Sequence, residues 1–141
     1  MALTPSYIVD KSAFARLARP EVGAVLSPLI LAGDVATCGI IELEVLYSAR
    51  NHEDLVAIRA ERSHALSLIP MVQADFDRAA DVMESLARRG MHRAVSLPDL
   101  LISALAERVG LTILHYDADY DFVAGVTGQP MRWVVPRGSV S

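Results

Sequence analysis

Short apolar runs alternate with longer segments of mixed polarity, which predicts strands and helices in turn. Tyr7-Ile8-Val9 reads as a buried strand over residues 6–9 that stops at Asp10. Ser12 to Leu17 reads as a helix, and Pro20 suits the first position of a second helix running to Leu31. Gly33-Asp34 turns the chain into a second strand, Val35 to Cys38, and Ile40 to Arg50 reads as the next helix. Asn51 caps a long helix expected from His52 to Leu68, with Leu68 to Val72 as a short strand after it. Gln73 to Arg89 carries the clearest amphipathic spacing, through Phe76, Ala79, Ala80, Met83, Leu86 and Ala87, and stops at Gly90. Leu97-Pro98-Asp99 starts a helix that ends at Gly110. Leu111 to His115 is a strand, Ala118 to Ala124 a helical turn, Met131 to Val135 a last strand, and Pro136 to Ser141 a tail expected to fray. The order predicts one α/β domain over residues 1–141, with a central, mainly parallel sheet flanked by helices.

Composition narrows the picture. Hydrophobic residues make up 52% of 141, which excludes disorder and allows one core. The longest apolar candidate, Val22 to Ala32, is interrupted by Gly23, Ser27 and Pro28 and falls short of the ~20 residues of a membrane span. No basic stretch precedes the first apolar run, so no signal peptide is read and a cytoplasmic protein is expected. Cys38 is the only cysteine and reads as a small buried residue. The four histidines lack zinc spacing, and the serines lack a nucleophile-elbow motif.

The acids carry the chemistry. Asp10 closes the first strand, Asp117 and Asp119 follow the third, Asp99 opens a helix, and Glu42 and Glu44 lie within an apolar helix. Helix caps and turns account for Asp10, Asp99 and Asp117 taken singly. Together they place carboxylates beyond strand ends, where open α/β sheets form their sites. A shared hard cation, Mg²⁺ or Mn²⁺, relieves their desolvation, and such ions suit phosphodiester cleavage. Two helical positions lie about 200° apart, so only one of Glu42 and Glu44 faces inward, and periodicity does not choose. Ser12 is placed to support Asp10 or a water beside it. The net charge of −4 is no obstacle to an RNA substrate. Without Asp10, Glu44, Asp99, Asp117 and Asp119, twelve of the seventeen acids remain against thirteen basic residues.

In order and spacing these segments resemble the PIN domain, and within it the VapC-type toxins. Tyr7-Ile8-Val9-Asp10-Lys11-Ser12-Ala13 resembles the family's opening strand, its catalytic Asp and the following Ser/Thr. Ile40 to Ala49 resembles its Glu-bearing helix, in a register that selects Glu44 and leaves Glu42 as the fallback. Leu97 to Ala106 resembles the third acidic motif, and Leu114 to Phe122 the last, with Tyr120 where Phe is commoner. The resemblance implies a Mg²⁺- or Mn²⁺-dependent endoribonuclease that hydrolyses RNA with a metal-activated water. Asp10, Glu44, Asp99 and Asp117 would be catalytic; Asp10, Asp99, Asp117 and Asp119 would hold the metal; Ser12 would support them. It also implies a homodimer and a cognate VapB-type antitoxin. A PIN-like nuclease in RNA processing, and a non-catalytic acidic α/β binding module, stay open at this point.

Overall fold

The computed structural model describes residues 4–141, so the first three residues of the expected domain lie outside it. Among the described residues, five strands form one sheet in the order β3-β2-β1-β4-β5, every pair parallel. They are β1 Tyr7–Val9, β2 Val35–Thr37, β3 Ser67–Leu68, β4 Thr112–His115 and β5 Met131–Trp133. Between them run α1 Lys11–Phe14, α2 Pro20–Leu31, α3 Gly39–Tyr47, α4 His52–Ala65, α5 Gln73–Ala87, α6 Leu97–Val109 and α7 Asp119–Thr127.

The period-two alternation of each strand divides the core. Ile8, Ala36 and Ile113 point to one face, where they meet Ile41 of α3, Ile102, Leu105 and Ala106 of α6, and Tyr120 of α7. Val9, Val35 and Leu114 point to the other, against Ala13 of α1 and Val22 and Leu26 of α2. A further layer sets Ala79, Val82 and Leu86 of α5 against Leu100 and Ala104 of α6 and Val123 of α7. Burial on both faces explains why β1, β2 and β4 read as continuous apolar runs.

Chain connections leave β1 and β4 in opposite directions, one toward β2 and the other toward β5. Their carboxyl ends therefore border the crevice where a doubly wound sheet opens. The Asp10 amide donates to the Leu114 carbonyl at 3.0 Å and locks the two ends together.

Three expectations are corrected. The first helix is a single turn, Lys11–Phe14, because Pro20 holds Arg19 extended and the chain must turn before it. α4 stops at Ala65 rather than Leu68, and β3 is Ser67–Leu68. Leu66 goes extended, and Ser67 and Leu68 pair with Ala36 and Thr37. Asp99 is not the cap of α6. Ser96 is, its hydroxyl accepting from the Asp99 amide, while Asp99 sits three positions into the helix. Near the end of the tail, Val140 packs on the α1–α2 face, and the Tyr116 hydroxyl donates to its carbonyl at 2.9 Å.

Candidate acidic site at the strand ends

Each carboxylate reaches the crevice from a different element. Asp10 follows β1 and caps α1, its Oδ2 accepting the Ser12 amide at 3.0 Å. Asp99 rises from the first turn of α6, only 5% exposed. Asp117 follows β4 and accepts the Asp119 amide on Oδ1 at 2.9 Å. Asp119 opens α7 and accepts the Ser96 amide at 3.1 Å, which ties α7 to the start of α6.

Two groups result, and Asp99 belongs to both. Oxygens of Asp10, Glu44 and Asp99 lie within 4.8 Å of one another, as do those of Asp99, Asp117 and Asp119. Among the described residues, no Lys or Arg forms an ion pair with any of the five. The cost appears in their acidities. Burial first, then the Asp10 and Asp117 charges, push Asp99 up to about 8. Glu44 is also raised, by burial and by Asp10 and Asp117, with Lys11 opposing.

Glu42 is placed elsewhere. Its carboxylate accepts from Thr37 at 2.5 Å and takes a two-pronged ion pair from Arg62 of α4, at 2.9 and 2.7 Å. Burial opposes its ionisation, but Arg62 and Thr37 outweigh that and hold its carboxyl below the usual range. The Arg62 guanidinium in turn covers the Phe14 ring at 4.3 Å. Glu42 thus clamps α4 and β2 to α3 and orients the helix that carries Glu44 inward.

Ser12 supports Asp10 through its backbone amide. Its hydroxyl accepts the Tyr116 amide at 2.9 Å, joining α1 to the loop after β4. Arg16, near the site in sequence, stacks on Tyr116 at 4.4 Å and donates to the Ser12 carbonyl at 2.7 Å. His115 is fully buried between Tyr120 and Trp133, with ring centroids 4.8 and 5.0 Å away. Burial lowers its pKa, and its Nδ1 accepts the Asp117 amide, so it is a neutral packing group that carries its proton on Nε2.

Sequence reasoning missed Tyr120 as part of the site. Its ring is fully buried, and its hydroxyl lies 2.8 Å from Asp10 Oδ1 and 3.1 Å from Asp99 Oδ1. Burial and both carboxylates raise its pKa well above the usual value, so the phenol keeps its proton. The single signal in the chain is a Tyr beside Asp119 where the resembled motif usually has Phe.

The donor set fits a hard divalent cation. It is all carboxylate oxygen, it converges from five elements, and burial together with the Asp10 and Asp117 charges pushes Asp99 up to about 8. Cys38, the nearest softer donor in sequence to Glu44, is buried in the core with its thiol pushed up to about 11, by burial above all.

Known proteins resemble this chain in sequence and in fold. A family model for the PIN domain matches residues 7–126. The chain is 44% identical over 134 residues to Ribonuclease VapC51 of Mycobacterium tuberculosis, covering 95% of this chain and 96% of that protein. It is 40% identical over 137 residues to Ribonuclease VapC21 of the same species, covering 97% and 99%. Among solved structures, the DNA-bound VapBC of Salmonella typhimurium matches with a TM-score of 0.77 at 14% identity, over 94% of this chain and 100% of that one. VapBC2 of Rickettsia felis, bound to a promoter DNA fragment, matches at 0.73 and 14%, over 90% and 98%. At that identity the structural likeness concerns the fold.

Proposed function

The chain belongs to the PIN-domain family, and on that premise we propose that it is a VapC-type toxin, an endoribonuclease that hydrolyses RNA phosphodiester bonds with Mg²⁺ or Mn²⁺. The observation that carries this reading is the convergence of Asp10, Glu44, Asp99 and Asp117 at the sheet's switch point, with no Lys or Arg among the described residues in an ion pair with them. A cluster of carboxylates would repel an RNA phosphate, so the site works only when a bound cation reverses its sign.

Asp10, Asp99 and Asp117 hold the cation, Glu44 completes the set beside Asp10 and Asp99, and Asp119 assists from the start of α7. A bound divalent cation supplies a water of lowered pKa and offsets charge developing on the phosphate. The Ser12 amide fixes the direction of Asp10, and the Asp119 amide that of Asp117. The Glu42–Arg62 pair keeps Glu42 away from the cation and sets the rotation of α3.

The same reading includes a VapB-type antitoxin and a homodimer. An apolar groove lined by Phe14, Leu17, Ile30, Val45, Ile58 and Leu66 begins at Lys11, beside Asp10. A partner segment lying there with a basic side chain at its end would reach the acidic site and block it. Leu43, Leu68, Phe76 and Leu97 expose a second apolar surface, which supports self-association.

The test is cleavage of total RNA by the purified protein, wild type beside Asp99→Asn, in Mg²⁺, Mn²⁺ or EDTA, with thermal denaturation in the same buffers. The expected result is cleavage that requires metal, a wild-type melting point raised by Mn²⁺, and loss of both in the variant. Cleavage in EDTA, or a fully active Asp99→Asn, would sink the reading.

A further inference from the structure

We propose that the Tyr120 hydroxyl is a positioning group that sets the spacing of Asp10 and Asp99 and thereby the affinity of the site for its cation. The inference rests on the metal-nuclease reading above. Asp10 and Asp99 arrive from elements 89 residues apart in sequence, and the Tyr120 oxygen is hydrogen-bonded to both of them. Together with the Ser12 amide on Oδ2, the phenol leaves Asp10 with both oxygens located. Hydrogen bonds to carboxylates are the stronger kind, and this one is shielded from water.

The ring cannot move away. It sits among Ile8, Ala36, Cys38, Ile41, Ile102 and Leu105, with His115 against it. The hydroxyl is therefore presented at a fixed height under the two carboxylates. A phenylalanine would fill the same core volume and leave Asp10 and Asp99 without the hydroxyl that lies between them. Residues that orient metal-ligating carboxylates change metal affinity by about 10–100-fold when lost. The Tyr120 side chain is fully buried and its hydroxyl meets Asp10 and Asp99, so it acts through those two carboxyl groups.

The experiment compares the full chain with Tyr120→Phe. Mn²⁺ affinity is measured by calorimetry, the Mn²⁺ dependence of RNA cleavage is followed alongside, and melting points are taken in EDTA. The expected variant binds Mn²⁺ about tenfold or more weakly. It needs correspondingly more Mn²⁺ for half-maximal cleavage and recovers most of the wild-type rate at saturating metal. A residue with a merely structural role would lower the melting point in EDTA and leave the affinity where it was. An unchanged Mn²⁺ affinity in a folded variant overturns the proposal while leaving the nuclease reading intact. A wild type that takes up neither Mn²⁺ nor Mg²⁺ overturns both. An independent readout uses the wild type alone: the buried hydroxyl proton of Tyr120, observed by NMR, shifts when Mg²⁺ is added. A resonance unmoved by saturating Mg²⁺ would count equally against the proposal.

Discussion

Asp99→Asn should make the metal-free protein more stable while abolishing its activity, because the carboxyl it removes is held against its own chemistry. Asp99 is pushed up to about 8 by burial and by Asp10 and Asp117, from an ordinary value of 3.8. Between those values the folded chain keeps a proton that the unfolded chain has lost, so wild-type stability falls as pH rises through this window. Each pH unit contributes at most about 1.4 kcal/mol, so the ceiling at pH 7 is on the order of 4 kcal/mol. Asparagine keeps the shape and an acceptor for Tyr120 but has no proton to lose. For a chain of this length a stabilisation of that size raises the melting point by on the order of 10 °C. The assay is thermal denaturation in EDTA, followed by circular dichroism at pH 5, 6, 7 and 8 for both proteins. The gap should be smallest at pH 5 and widen steadily to pH 8. An Asp99→Asn protein that melts at or below wild type at pH 7, or a gap that does not grow with pH, would refute the reasoning. It would mean that the acidic cluster is not under electrostatic strain without metal.

The same coupling makes metal binding depend on pH. Asp99 must give up its proton to a cation, so Mn²⁺ affinity should climb close to tenfold per pH unit from pH 6 to 8, with about one proton released. Calorimetry in two buffers of different ionisation enthalpy measures this, and a flat profile would remove Asp99 from the ligand set. Glu42→Gln and Glu44→Gln should separate in opposite directions. The first leaves the half-buried Arg62 without its charged partner and should cost about 2–3 kcal/mol of stability while preserving Mn²⁺ binding. The second should lose Mn²⁺ stabilisation and RNA cleavage with metal-free stability equal to wild type or higher. Denaturant unfolding with and without Mn²⁺ distinguishes them, and the reverse pattern would place Glu42 at the site.

These predictions share one physical cause. The positions that hold carboxylates together are kept by contacts that do not depend on metal: the parallel sheet, the β1–β4 lock, the Glu42–Arg62 clamp and the Tyr120 ring in the core. Removing charge from the cluster therefore relaxes the fold, whereas removing a clamp weakens it. Stability and activity are expected to move against each other at the site and together around it.

Much of the fold was legible because its punctuation is local. Pro20, Asn51, Gly90 and Gly110 mark helix ends by their own backbone preferences, and the apolar runs at Tyr7–Val9, Val35–Thr37 and Thr112–His115 mark strands buried on both faces. The acids after β1 and β4 were legible for the same reason, since a charged residue at the end of a buried run is a local anomaly. What tertiary structure decided lies in contacts between distant segments. α4 yields to β3 because Ser67 and Leu68 pair with a strand thirty-one residues earlier. Glu44 rather than Glu42 faces the crevice because Thr37 and Arg62 claim Glu42, and no helical period encodes that choice. Tyr120 joins the site because its ring is buried under residues 110 and 21 positions away. Near the end of the tail, Val140 meets Tyr116. Backbone preference and hydrophobic period act within a few residues and can be read from them; which polar group ends opposite which is settled only when the sheet brings its strands together.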